Sequence, residues 1–415
     1  MTDLIASVAV ATVRAPLPVT IRFGPWVMEH REFALCRLQT RDGLEGFSFV
    51  YTRDAPLASL VRRNIAPMYV GQPFNDPAAL HWQAAWSNNA ILPSGIGLRA
   101  LSLVDLAAWD LAARASEQSI SAFLGGPRPA MPVTAIIGYP PTLTPVQIAS
   151  QVEELLAAGW RRFKQPIAAT PEETRARLQA ARSAMGAECW LGMDCNWVFK
   201  SARDALEFAA SIKDVGLGWM EDIVPPGNAR MVAEIREHGV VPVAMGDEQG
   251  GSYHPESILA HQAVDVARVD ATTYGGLSRL QETLAQIEAR GVKFAPHMFG
   301  HVHSQIFGAL GYEVPIEWGV PGSGVDQFAD SLRQPVVHDG VMDPLPEEPG
   351  FGPLFNLEWI AEQVVEDDDG LLRELNFERE GVTGGQIRAT PCSGIAECSR
   401  YDCSKKRCRS CSWRA

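Results

Sequence analysis

Apolar residues alternate with small or polar ones through VAVATVRA, FALCRLQTRDG and LEGFSFVYT, and this period of two across residues 5–51 predicts three strands. Asp42-Gly43, between the second and third runs, has the chemistry of a hairpin turn. Residues 17–31, with Gly24, Pro25 and Trp26, break the alternation. A surface loop is the plain account of that stretch; the functional one is a flap that brings Trp26 or Arg22 to a ligand. From 55 to 125 the spacing turns helical, with Leu101, Leu103, Leu106, Trp109 and Leu111 on broad apolar faces and a stop at Gly125-Gly126-Pro127. Residues 1–128 thus predict an α+β domain.

From Val133 the pattern repeats. VTAIIGY, RRFKQPIA, CWLGMDCNW, GWMEDIVPP, VPVAMGDEQ, VDVARVDATT, VKFAPHMFG and VPIEWGV are short apolar runs with amphipathic stretches between most of them. Thr170-Pro171 is a good helix start. Eight strands with intervening helices predict an α/β barrel over 129–320 rather than an open sheet. Residues 321–357 lack a good final helix and read as a segment returning to the first domain.

Beyond 357 the composition shifts, and Cys392, Cys398, Cys403, Cys408 and Cys411 crowd the end at irregular gaps without a histidine among them. That pattern is weak for zinc. Residues 358–415 read as a disordered tail or a frame-shifted read-through, and a chain ending near Leu357 is expected to keep its activity.

The totals narrow the class. A chain of 415 residues with 46% hydrophobic and 20% charged residues can bury a large core in two domains. Its formal net charge of −13 argues against nucleic acid as a partner. No apolar run suits a membrane span, and the N-terminus lacks a basic leader region. Cys36, Cys189 and Cys195 are scattered through the body, as expected of a protein in reduced cytoplasm. No G-x-G-x-x-G follows an early strand, which disfavours a dinucleotide enzyme.

In a parallel barrel the chemistry sits at the C-terminal ends of the strands. Three of the runs end in Asp194, Glu221 and Asp247, separated by 27 and 26 residues, the length of one βα unit. Three acids delivered to one rim repel unless a cation lies between them. Hard oxygen donors without His or Cys favour Mg²⁺, or Mn²⁺, over Zn²⁺. The same rim gains Asn196 and Glu248 beside these acids, and Lys164, Asp270, His297 and Glu317 from the other strand ends. Asp270 and His297 are again 27 residues apart, so neighbouring strands can pair a carboxylate with an imidazole and make a general base. The competing account is a core histidine paired for stability. Lys164, which interrupts an apolar strand, is an acid–base group or a clamp for a substrate carboxylate. His301 and His303 lie just beyond; His297 and His301 have i,i+4 spacing, but the strand-to-loop context makes a metal pair of them unconvincing.

Taken together these motifs resemble the enolase superfamily, and within it the mandelate racemase-like subgroup (the mandelate racemase/muconate lactonizing enzyme family), over about residues 1–357. The residues that carry the resemblance are AAWDLAARASEQSISAFLGG, Asp194-x-Asn196, MEDIVPP, MGDEQ, DATTYGGLSRL, PHMFGH and IEWG. It implies a (β/α)₇β modified TIM barrel with an α+β capping domain built from both chain ends, and an even-numbered homo-oligomer. It further implies Mg²⁺ on Asp194, Glu221 and Asp247, with Asp247 rather than Glu248 aligned to the ligand. The metal would bind a substrate carboxylate, the His297–Asp270 dyad would take the α-proton, and the metal would stabilise the enediolate. Glu317 matches the acid that hydrogen-bonds the carboxylate as charge builds.

One departure matters. Racemases of this subgroup carry Lys-x-Lys on the second strand, the last lysine acting as a second base; here the stretch is Lys164-Gln165-Pro166. Proline cannot take a proton, so the expectation is an acid-sugar dehydratase, a hydro-lyase giving a 2-keto-3-deoxy acid. The alternatives are a racemase, epimerase or cycloisomerase with the same dyad, and a non-catalytic sugar-acid binding protein. Specificity is expected from the flap, the loop near 51–56 and the strand-end loops.

Overall fold

The first hairpin reaches further than the alternation suggests. In the computed structural model, which describes residues 3–23, 26–246, 248, 255–320, 332, 335–352 and 355–371, strands β1 (Ile5–Phe23) and β2 (Trp26–Thr40) pair antiparallel from Ile5↔Thr40 to Phe23↔Trp26. Most of the expected loop at 17–31 is therefore hairpin. The sequence hides this because Pro16 and Pro18 lack the N–H that a ladder needs. They fall where the register shifts, between Pro16↔His30 and Ile21↔Met28.

Strand β3 (Glu45–Tyr51) pairs with β2 on the other side, and one face of this sheet packs on the long helix Gly95–Ala115. Val10, Leu38, Val50, Leu101, Val104 and Leu111 are buried in that contact. At Gly46 the two elements come so close that a Cβ would lie 2.4 Å from the Ala107 carbonyl oxygen. Glycine is a steric requirement there.

Eight further strands run parallel in chain order: β4 (Met131–Ile136), β5 (Arg162–Pro166), β6 (Trp190–Asp194), β7 (Trp219–Glu221), β8 (Val243–Met245), β9 (Val266–Val269), β10 (Lys293–Pro296) and β11 (Ile316–Gly319). Strand β11 pairs with β4, so the sheet returns on itself as a barrel. A helix follows each of the first seven strands, the (β/α)₇β order. Thr144 and Thr170 each close a capping box at the start of the helices Pro145–Ala157 and Pro171–Met185, with proline in the first turn. A small hairpin, β12 (Val337–His338) and β13 (Val341–Met342), extends the sheet antiparallel to β4.

Two buried aspartates on the helix Gly95–Ala115 tie the layers together. Asp105 accepts the Ser278 N–H (3.1 Å) and the Ser278 hydroxyl (2.6 Å) at the start of the helix Gly276–Ala289. Burial pushes its pKa up to about 7 despite these bonds. Asp110 accepts the Phe47 N–H at 2.8 Å and the Phe351 N–H at 2.7 Å, joining β3 to the returning C-terminal segment.

That segment runs past the boundary expected at 357. The helix Leu357–Glu362 is followed by strand β14 (Val364–Glu366), which pairs with Thr12 and Val13 and gives a four-stranded sheet of order β14-β1-β2-β3. Asp369 accepts the Val10 N–H at 3.0 Å, and Arg62 pairs with Glu366 at 2.6 Å. The acidic run after 365 looked like tail composition because its carboxylates serve β1 and Arg62 instead of an apolar core. The cysteine-rich stretch, expected to be a disordered tail, lies outside the described residues.

A chain ended after Asn356 is therefore expected to melt on the order of 5 °C below one ended after Leu371. Scanning calorimetry of the two chains checks this; equal melting temperatures would show that β14 contributes nothing.

Candidate active site

The parallel register lines up the chemistry. Pro166 on β5, Asp194 on β6 and Glu221 on β7 are Cα partners in a row, and Ala244 on β8 continues it. Two carboxylates thus leave the sheet side by side, with Glu221 fully buried. Burial raises the pKa of Asp194, Lys164 opposes that, and the Glu221 charge adds to the rise. The positive charge that such acids need comes from two side chains. Lys164 Nζ lies 2.9 Å from Glu221 Oε1 and 3.7 Å from Asp194 Oδ2, and it also contacts Glu317. Arg268, on β9, donates to Glu317 Oε2 at 2.5 Å and sits 3.2 Å from Glu221 Oε1.

This arrangement fixes protonation. Burial works to lower the Lys164 pKa, but Glu221, Glu317 and Asp194 outweigh it and hold the amine charged, well above the usual lysine value. Burial likewise works against the Glu317 carboxylate, and Lys164 and Arg268 hold it ionised below the ordinary range. Glu317 accepts from both cations here; the resemblance implies that it hydrogen-bonds the substrate carboxylate as charge builds. The Met298 N–H also donates to it at 3.2 Å, bridging the ends of β10 and β11.

His297 Nδ1 lies 3.0 Å from Asp270 Oδ2, so the two residues one βα unit apart do meet. Asp270 is fully buried, and its Oδ1 accepts the Thr272 N–H at 2.7 Å. Burial would raise its pKa, yet hydrogen bonds with the His297 and His303 rings hold it well below the carboxylate range. An ionised Asp270 assigns the proton to His297 Nδ1 and makes Nε2 the basic nitrogen. His303 sits between Asp270 Oδ1 (3.3 Å) and the Met298 carbonyl (2.8 Å).

Of these groups Lys164, Asp194, His297 and Glu317 border one cavity of about 60 Å³, lined also by Tyr139, Pro166 and Asn196 from the barrel and by Met28, Arg31, Tyr51 and Arg53 from the capping domain. The Asn196 N–H donates to Asp194 Oδ1 at 2.9 Å, and its buried Nδ2 has no hydrogen-bond partner among the described residues. Arg22 does not reach the cavity. It pairs with Val27 and is exposed, whereas the preceding pair, Ile21 and Met28, faces inward with Tyr139 against it. A period of two puts Arg22 on the outer face. The Trp26 side chain and all of Asp247 lie outside the described residues.

Glu248 is engaged elsewhere. Its carboxylate is gripped by Arg53, with Nε at 3.0 Å, and by Arg99 at 2.5 Å, both from the capping domain. The pKa of Glu248 falls below the carboxylate range: burial opposes this, and the two guanidiniums outweigh it.

Comparison with known proteins gives the same picture. Residues 5–125 match the mandelate racemase/muconate lactonizing enzyme N-terminal domain, and residues 147–359 the enolase C-terminal domain-like family. The chain belongs to the mandelate racemase/muconate lactonizing enzyme family of the enolase superfamily. A D-galactarolactone cycloisomerase of Agrobacterium fabrum is 27% identical over 361 residues, covering 82% of this chain and 93% of the relative. A D-galactonate dehydratase family member of Streptomyces bingchenggensis is 25% identical over 378 residues, covering 78% and 87%. Among solved structures, a racemase from Streptomyces coelicolor with bound magnesium superposes with a TM-score of 0.79 at 21% identity, covering 87% of this chain and all of that one. L-talarate dehydratase from a Polaromonas species, complexed with Mg and L-glucarate, gives 0.77 at 22% identity, covering 88% and 98%. The fold expected from the strand-end motifs is the fold of this family.

Sequence reading passed over Arg268 and the Arg53 and Arg99 partners of Glu248, and gave His303 no role. An arginine inside the apolar run VDVARVD was a visible signal for the first. The Glu248 partners lie about 150 and 195 residues away in the chain, and no local pattern marks them.

Removing one guanidinium from a buried carboxylate leaves its charge undercompensated. Arg99→Met is expected to cost about 3 kcal/mol of stability, with part recovered in the Arg99→Met/Glu248→Met double variant. A denaturation double-mutant cycle reads the coupling, and strict additivity would mean the contact is energetically empty.

Proposed function

We propose that this protein is an Mg²⁺-dependent acid-sugar dehydratase. Asp194, Glu221 and Asp247 would hold the metal. The donor set fits a hard divalent cation: all are carboxylates, and Asp194, Glu221 and Glu317 already outnumber Lys164 and Arg268 by one formal charge before Asp247 is added. Bound there, Mg²⁺ would polarise the substrate carboxylate and acidify the adjacent C–H.

The protein groups supply the rest. His297 Nε2 takes the α-proton while Asp270, bonded to Nδ1, keeps the ring in that tautomer and stabilises the imidazolium. The Asn196 Nδ2 and the fixed charge of Lys164 orient the carboxylate. The imidazolium then returns its proton to the β-hydroxyl, which leaves as water as the Cβ–O bond breaks. The enol so formed ketonises to the 2-keto-3-deoxy acid.

The observation that carries this reading is the pairing of the His297–Asp270 dyad with Pro166 in one cavity. A two-base racemase needs a proton acceptor on the second face, and Pro166 cannot be one. Lys164 is a poor substitute, being tied as a cation to Glu221 and Glu317. Cycloisomerisation remains the second reading, since one base suffices for it and a 27% identical relative carries that name.

Incubation with Mg²⁺ and a panel of aldonic and aldaric acids should release a 2-keto acid detectable with semicarbazide. His297→Asn should lower the rate on the order of 10³-fold. Recovery of substrate labelled with deuterium and inverted at the α-carbon, without keto acid, would instead identify a racemase or epimerase.

A further inference from the structure

Three cations border the cavity, and two of them are already matched. Lys164 is paired with Glu221 and Glu317, and Arg53 with Glu248. Arg31 differs. It projects from β2 of the flap hairpin opposite Ala15 on β1, and no ion pair or hydrogen bond is formed by its guanidinium among the described residues. Its Nε is nevertheless buried and without a partner. The neighbouring acids are used by others: Glu32 accepts from Arg14 at 2.6 Å and Asp54 is 2.9 Å from His30.

The contact that Arg31 does make sharpens the point. Its guanidinium lies 5.6 Å from the centre of the Tyr51 ring, which Arg53 approaches to 4.4 Å. Two cations share one ring, and an acid answers only Arg53 among the described residues. A half-buried guanidinium with an unused donor, facing a cavity beside another cation, favours a planar anion with two oxygens. Tyr139 lines the same cavity as Arg31, Asp194 and Lys164.

We propose that Arg31 binds the second carboxylate of a diacid, so that the substrate is an aldaric acid, carboxylated at both ends, and not an aldonic acid. One carboxylate lies at the strand-end acids and Lys164, the other at the flap. This rests on the reading of the cavity as a site for α-proton abstraction from sugar acids. Arg31 then acts as a specificity residue that selects the length and charge of what fits in the cavity.

The test uses the full chain with Mg²⁺ and matched pairs of six-carbon acids that share their configuration at carbons 2 to 5, such as glucarate with gluconate and galactarate with galactonate. Three readouts are taken for each pair: binding by calorimetry, α-deuterium wash-in by NMR, and keto-acid release. In the wild type the diacid of at least one pair should bind and react in preference. Arg31→Gln should lower the diacid-to-monoacid ratio of kcat/KM on the order of 30-fold, chiefly through KM, and Arg31→Lys should restore part of it.

If the diacid binds and exchanges its α-proton in an Arg31-dependent way without yielding keto acid, the assignment of Arg31 stands and dehydration fails. If keto acid forms as readily from monoacids and Arg31→Gln leaves the ratio unchanged, dehydration stands and the assignment falls. No binding by any pair overturns both.

Discussion

Like charges buried side by side must be compensated, and this barrel is arranged around that need. Parallel register places Asp194 next to Glu221, with Glu317 reaching the same cations, in a position where water screens them little. Lys164 and Arg268 answer from within the sheet, the lysine reaching all three acids and the arginine two. Two rigid cations hold the carboxylates in fixed directions, so the rim keeps its donor geometry without relying on loops. The same pairing favours the charged form of Lys164, and on the proposed reading proton transfer falls to His297.

The capping domain is joined to this rim by the same means. Glu248 leaves the end of β8 and is held by Arg53 and Arg99, while Asp105 and Asp110 carry the helix Gly95–Ala115 onto the barrel helix Gly276–Ala289 and the C-terminal segment. Each tie is a buried carboxylate that meets backbone N–H groups or guanidiniums, interactions that are directional as well as strong. The flap that borders the cavity is therefore anchored through Tyr51 and Arg53 to the strand that bears the expected third metal ligand.

Much of this was legible in the chain. Strand-end residues could be read because a parallel barrel exports one end of every strand to a single rim, so a carboxylate after each apolar run has a position as well as an identity. Asp270 and His297 met as their spacing required. The flap was hidden because Pro16 and Pro18 interrupt the alternation without interrupting the hairpin. Arg268 was absorbed into an apolar run, although an arginine inside a buried strand demands an acid. The partners of Glu248 were out of reach because pairing across about 195 residues leaves no local trace. Arg22 falls on the outer face of the hairpin, and that face was not legible because the phase of the alternation cannot be set until the register around the prolines is known.

Strand β14 carries a consequence for how the molecule is made. It pairs with Thr12 and Val13 only after the whole barrel has been laid down between them, since its own residues begin at Val364. During synthesis the edge of β1 is thus a bare row of amide and carbonyl groups while most of the protein emerges. A nascent chain in that state offers neighbours a template for strand addition. The acidic side chains of the closing segment, Glu366 and Asp369, meet Arg62 and the Val10 amide at this edge. In the finished molecule a segment made after the barrel protects a strand made before it.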